Sequence, residues 1–254
     1  LYQMMLSRAM KIFVCGKGGS GKSSIAALMA KMMAERGHRV LVVDTDESNY
    51  GLHRHLGLEL PPDLLKFFDG KKGLFQRMRD DKTLFPSGWS MDDIPADYLS
   101  KKDGISLLAI GKIHEFGEGC ACPMGSLARQ LLESLTLGPG EIVIVDTEAG
   151  IEHLGRGVEK GSDIILVVLD PSFESIALSK KIVEMGEGLG KPVYLFLNKA
   201  DGDVQGVMLK DLDSSRLVGI LPFDPGLFQA GLRGEEIKVV PSGLERLAGI
   251  LEGN

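Results

Sequence analysis

The chain has 254 residues, 44% of them apolar and 25% charged, enough to bury the core of one large α/β domain or two small ones. Its formal net charge of −6 argues against general binding to nucleic acid, which needs clustered cations to displace counterions. No apolar run approaches the ~18 residues that span a bilayer, no hydrophobic leader follows the N-terminus, and three cysteines are too few for an extracellular disulfide framework. A cytoplasmic protein without a membrane partner is expected.

Residues 1–9 read as a disordered N-terminal extension or an upstream mis-start, because Met10-Lys11-Ile12 begins directly before the first strand pattern. That strand is the apolar run Ile12, Phe13, Val14 and Cys15, with Cys15 read as core. The run leads into Gly16-Lys17-Gly18-Gly19-Ser20-Gly21-Lys22-Ser23-Ser24. A glycine-rich loop between a strand and a helix is a phosphate cradle. Its glycines let the backbone curl until its N–H groups reach phosphate oxygens, and the helix N-terminus adds partial positive charge. In this pattern Lys22 reaches the terminal phosphates and the Ser23 hydroxyl holds Mg²⁺. Residues 10–254 are expected to form a single domain around this loop.

After the loop, Ile25, Leu28, Met29, Met32 and Met33 recur on one face of an amphipathic helix, and Gly37 stops it. Val40–Val43 reads as a buried strand ending at Asp44. Residues 49–104 are irregular, broken by Pro61-Pro62 and Pro86-Ser87-Gly88, and read as short helices and loops. Strands are expected at Ile105–Ile110, Ile142–Val145, Ile164–Leu169, Val193–Leu197 and Leu217–Leu221. Helices are expected at Ser126–Leu137, Glu174–Glu187, Val204–Leu212 and Leu244–Leu251. Strands alternating with helices imply an α/β fold, with a mainly parallel central sheet covered on both faces.

Acids close three of these strands, where ligands of open α/β sheets bind: Asp44-Thr45-Asp46, Asp146-Thr147-Glu148 and Asp170-Pro171. Asp170 reads as a turn former. Asn198-Lys199-Ala200-Asp201, at a fourth strand end, spells the Asn-Lys-x-Asp sequence that reads guanine in GTPases.

Lysine ahead of the glycines makes the loop similar to the deviant Walker A of the MinD/ParA/nitrogenase iron protein group, P-loop NTPases of the SIMIBI type. The resemblance implies that Lys17 crosses a dimer interface to the phosphates bound by the partner chain. It implies that Asp146 holds Mg²⁺ through water, that Asp46 orients the attacking water and that Asp44 supports magnesium hydration. Glu47 stands where the group usually has proline, which changes the setting of Asp46. The resemblance also places the Asn198 side chain, with Lys199 beside it, and the loop around Pro222 against the base. It favours ATP over GTP.

Glu118-Gly119-Cys120-Ala121-Cys122-Pro123 carries two thiols one residue apart, a chelate that supplies two ligands. A tetrahedral zinc site wants four, so two chains giving two each complete it, while Ni²⁺ would favour a square plane of the same thiolates. With Asp146–Gly157, this segment makes the chain resemble the CooC-type ATPases. The resemblance implies a homodimer holding one metal between its chains. Its client would be the nickel-dependent carbon monoxide dehydrogenase or the acetyl-CoA synthase apo-enzyme. His153 is not read as a ligand. Two other readings come from the wider group: an ATP-dependent electron donor like the nitrogenase iron protein, and a positioning ATPase like MinD or ParA.

Overall fold

Strands that are apolar at nearly every position need cover on both faces, and the fold supplies it. The computed structural model describes residues 8–80, 83–113, 122–150, 157–238 and 241–253. The N-terminal extension up to residue 7, Cys120, and residues 151–156 with His153 lie outside that set. Among the described residues the strands are β1 (Met10–Cys15), β2 (Arg39–Asp44), β3 (Leu99–Lys102), β4 (Ile105–Ala109), β5 (Glu141–Asp146), β6 (Ile164–Leu169), β7 (Val193–Asn198) and β8 (Leu217–Leu221). They form one sheet in the order β3-β4-β2-β5-β1-β6-β7-β8, parallel throughout except for β3 against β4.

The helices are α1 (Lys22–Glu35), α2 (Leu52–Leu56), α3 (Gly70–Arg79), α4 (Cys122–Ser134), α5 (Phe173–Gly188), α6 (Gly202–Leu209), α7 (Pro225–Arg233) and α8 (Glu245–Glu252). Alternation along the strands divides the core in two. Ile12, Val14, Val40, Val42, Ile142 and Ile144 pack with α1, α2 and α8. Phe13, Leu41, Val43, Val143 and Val145 pack with α4 and α5 on the opposite face. The expected apolar face of α1 is buried, as is Cys15, whose thiol burial pushes up to about 12. Among the described residues, no helix is long and apolar enough to cross a membrane.

Four segments differ from expectation. The helix expected at 126–137 runs from Cys122 to Ser134: Pro123 suits a first turn, and beyond Leu135 the chain is captured by Trp89, whose carbonyl accepts from the Thr136 amide at 2.6 Å. The helix expected at 204–212 runs from Gly202 to Leu209. Within 49–104, short helices are joined by an unexpected edge strand, β3, which folds onto β4 through Asp103 (φ 49°) and Gly104 (φ 81°). Asp-Gly is a strong hairpin signal. Helix α7 was also unforeseen, although Asp224 caps it by accepting the Leu227 amide at 2.9 Å, Pro225 opens it and Gly234 (φ 63°) closes it.

Candidate nucleotide site

β1 lies between β5 and β6, and connections leave this point toward opposite edges of the sheet, so a crevice opens beyond the strand ends. The loop of residues 16–21 fills its base. Two positions accept only glycine. A Cβ on Gly16 (φ 145°) would lie 2.3 Å from the Val168 carbonyl, and one on Gly21 (φ 96°) 2.3 Å from Asn198 Nδ2. Gly16 accepts the Gly150 amide at 3.1 Å, which ties the loop to the chain beyond β5. From the end of β7, Asn198 Nδ2 donates to the Ser20 carbonyl at 2.8 Å and Lys199 Nζ to the Gly19 carbonyl at 2.7 Å. Gly21 caps α1 without a side chain, which leaves the first amides of that helix to a ligand. Lys22 is buried, and its ammonium donates to the Lys17 carbonyl at 3.3 Å.

The acids sit in one cluster. Asp44 and Asp146 are register partners on the neighbouring strands β2 and β5. Asp146 is wholly buried. Its Oδ2 accepts from the Ser23 hydroxyl at 2.6 Å, and its Oδ1 has no hydrogen-bond partner. Burial pushes this carboxyl up to about 7, and the Asp44 charge adds to the shift. An orphaned buried carboxylate oxygen beside a serine hydroxyl fits a hard cation such as Mg²⁺, which needs only one or two protein ligands when phosphates and water supply the rest.

Asp46 Oδ1 accepts from the Ser48 amide (2.9 Å), the Ser48 hydroxyl (2.8 Å) and the Asn49 amide (3.1 Å). Asn49 Nδ2 in turn donates to Ser23 Oγ at 2.7 Å. The resemblance gives Asp44 a part in magnesium hydration, and here each of its oxygens has one partner within the protein, which leaves the carboxylate further lone pairs for water. Oδ1 accepts the Asp46 amide at 3.1 Å and Oδ2 meets Lys112 Nζ at 2.6 Å. Sequence reasoning missed both Asn49 and Lys112. The signal for Lys112 was a cation two residues past an apolar strand, facing two strand-end acids.

Lys17 points away from its own loop. Its ammonium meets the β6–α5 turn: it donates to Ser172 Oγ at 3.1 Å and lies 3.6 Å from Asp170 and 3.7 Å from Glu174. Asp170 behaves as a turn former, with Oδ1 accepting from the Ser172 and Ser175 hydroxyls. Beside Ser24 a cleft of about 240 Å³ is lined by Ile25, Asn198, Pro222, Phe223 and Leu227, mostly apolar with the Asn198 amide at its edge. Cys122 stands at the start of α4, and among the described residues no group of three His, Cys, Asp or Glu residues is placed to hold a metal ion.

A glycine-rich loop at the sheet's switch point, beside a buried serine–aspartate pair and an open cleft, is the build of a P-loop nucleotide-binding ATPase. The family model of the CobQ/CobB/MinD/ParA nucleotide binding domain matches residues 11–237, and the chain belongs to that family. It is 49% identical over 247 residues to an uncharacterized ATP-binding protein of Methanocaldococcus jannaschii, covering 95% of this chain and 99% of that one. It is 33% identical over 231 residues to the carbon monoxide dehydrogenase accessory protein CooC of Rhodospirillum rubrum, covering 89% of this chain and 88% of that one. The fold matches MinD of Pyrococcus horikoshii complexed with Mg-ADP at a TM-score of 0.65 and 16% identity, over 90% of this chain and 87% of that one.

Proposed function

We propose that the chain is a homodimeric, Mg²⁺-dependent ATPase of the cytoplasm that serves nickel insertion into carbon monoxide dehydrogenase or acetyl-CoA synthase. The observation that carries this reading is the presence of Cys120-Ala121-Cys122 together with the lysine-led loop in a relative of a carbon monoxide dehydrogenase accessory protein. In this reading residues 16–24 wrap the phosphates, Lys22 engages the terminal ones, and Asn198, Lys199 and the Pro222 loop border adenine. Ser23 and Asp146 would hold Mg²⁺, which supplies charge neutralisation at the β- and γ-phosphates. Asp46 positions water for attack on the γ-phosphate. Lys17 leaves its turn and reaches the partner's nucleotide, adding positive charge where the transition state gathers negative charge. Cys120 and Cys122 of each chain share one Zn²⁺ or Ni²⁺ as cargo.

ATP turnover is expected to collapse by at least ~10³-fold in Lys17→Ala, the scale of a lost charge in trans, and to fall similarly in Asp46→Ala, with a cooperative melt retained in both and lowered in Asp46→Ala by the loss of its three hydrogen bonds. Normal hydrolysis by both variants would refute the roles of Lys17 and Asp46. Independently, Cys120→Ser with Cys122→Ser is expected to abolish stoichiometric Zn²⁺ or Ni²⁺ binding in equilibrium dialysis. Unchanged metal content would remove the cysteine pair from the reading.

A further inference from the structure

Lys112 is a lysine with no exposed side-chain surface, a costly placement for an ammonium unless every donor is used. It follows Ile110, whose amide extends the β2–β4 ladder by donating to the Asp44 carbonyl at 3.0 Å. That register carries the Lys112 side chain across the end of β2. There its ammonium donates to Asp44 Oδ2 and to the carbonyls of Asp46 and Asn49, and lies 5.7 Å from the centre of the Tyr50 ring. Residues 44–50 are fastened to the same short stretch at two further points. The Ile113 amide donates to the Glu47 carbonyl at 3.0 Å, and the Tyr50 hydroxyl donates to the Ile113 carbonyl at 2.7 Å.

Two of the three ammonium hydrogen bonds therefore go to main-chain carbonyls of the loop that carries Asp46. Those two bonds satisfy the remaining donors of the buried ammonium and, in doing so, tie it to the backbone that carries Asp46. The cluster also divides the acids by cation. Asp44 is partnered from inside the protein, while its register partner Asp146 keeps a free oxygen beside Ser23. The ammonium thus engages Asp44 and leaves the unpartnered oxygen beside Ser23 to Asp146.

We propose that Lys112 is a positioning residue for ATP hydrolysis: by gripping Asp44 and the carbonyls of Asp46 and Asn49, it sets where the Asp46 carboxylate stands relative to the phosphates. The inference rests on the reading of Asp46 as the group that places water. In that mechanism Lys112 touches neither nucleotide nor water. Its loss should spare binding and slow the chemical step, because misplacing a reacting group by about 1 Å costs about 100-fold in rate.

The test measures Mg²⁺·ATP affinity, single-turnover hydrolysis and thermal melting in the full chain. Lys112→Met alone would strand a buried Asp44 charge, so it is combined with Asp44→Asn. This pair is expected to melt cooperatively and to bind Mg²⁺·ATP within about threefold of the parent, with hydrolysis slowed about 100-fold. Lys112→Arg keeps the charge but presents a planar fork of different reach. It is expected to fold and to lose hydrolysis by at least about 10-fold, and it decides the matter if the double variant does not fold. Parental hydrolysis by whichever of these variants folds would reduce Lys112 to a charge partner, and equal loss of affinity and rate would make it part of ATP binding. Either result overturns the inference. Asp46→Asn is measured in parallel. If it hydrolyses ATP normally, the reading beneath the inference fails, whereas an inactive Asp46→Asn beside a fully active Lys112 variant defeats the inference alone.

Discussion

Asp146 shows how much one buried carboxylate can govern. With its pKa at about 7 in the folded chain against 3.8 as an ordinary aspartate, the folded state holds a proton over an interval where the unfolded chain has released it. Stability therefore falls as pH rises from about 4 to about 7 and levels off above. Asp44, pushed up to about 6 by burial against the pull of Lys112, acts with the same sign. His53 and His55, held below the usual histidine value by burial, act with the opposite sign below pH 6.5. The informative quantity is thus the difference between the parent and Asp146→Asn. In denaturant melts without Mg²⁺ between pH 5 and 8, the variant is expected to lose the part of the slope that lowers parental stability toward pH 7. Identical slopes would mean that Asp146 ionises in the fold as it does in water. If Asp146 holds Mg²⁺ as proposed, the same linkage makes binding release a proton, and metal affinity should weaken below pH 7.

At the scale of elements, what could be read from the sequence follows from how local the causes are. The central strands declare themselves because Ile142–Val145 or Ile164–Leu169 are buried on both faces and carry no polar position. The phosphate loop is equally plain, since Gly16 and Gly21 are demanded by their own backbone angles. β3 was obscure because Leu99-Ser100-Lys101-Lys102 is a half-exposed edge with no apolar rhythm, and only the turn after it betrays it. Lys112 and Asn49 were obscure for a deeper reason. Their partners lie 68 and 26 residues away, so their meaning exists only after β2 has paired with β4 and packed beside α1.

Close approach between elements is equally invisible in one dimension. A Cβ on Gly161, in the short turn of Val158–Gly161, would lie 2.6 Å from Leu132 Cβ and 2.8 Å from the Leu132 carbonyl carbon on α4. Gly161→Ala is expected to destabilise by about 2 kcal/mol through overpacking, a fall in melting temperature of roughly 4–8 °C. Gly188→Ala, at the end of α5 with nothing within 4 Å of its Cβ, is expected to be neutral or slightly stabilising. Equal melts for the two variants would show that the turn yields freely to α4.

For the molecule as a whole, the decisive question is what happens when two copies meet. Lys17 is held in its own chain by partners at 3.1–3.7 Å, with a third of its side chain exposed. Exposed ion pairs contribute only about 0–1 kcal/mol, so exchanging this set for a partner's phosphates costs little. Phe173, 81% exposed on the same turn, offers apolar area that association would bury. Against this stands the net charge of −6 on each chain, which repels a second copy at long range. The two forces respond differently to salt. The long-range repulsion is screened beyond about 8 Å at physiological ionic strength, whereas a lysine enclosed against phosphate is screened much less. Nucleotide-driven dimerisation should therefore be stronger at about 150 mM salt than at 10 mM, the reverse of an association driven by opposite surface charges. Light scattering of Asp46→Ala with Mg²⁺·ATP and Zn²⁺ is expected to give a dimer that tightens with salt, and without Zn²⁺ either ADP or Lys17→Ala is expected to give the single-chain mass. A single-chain mass in ATP and Zn²⁺ together, at either ionic strength, would mean that the two active centres are not shared.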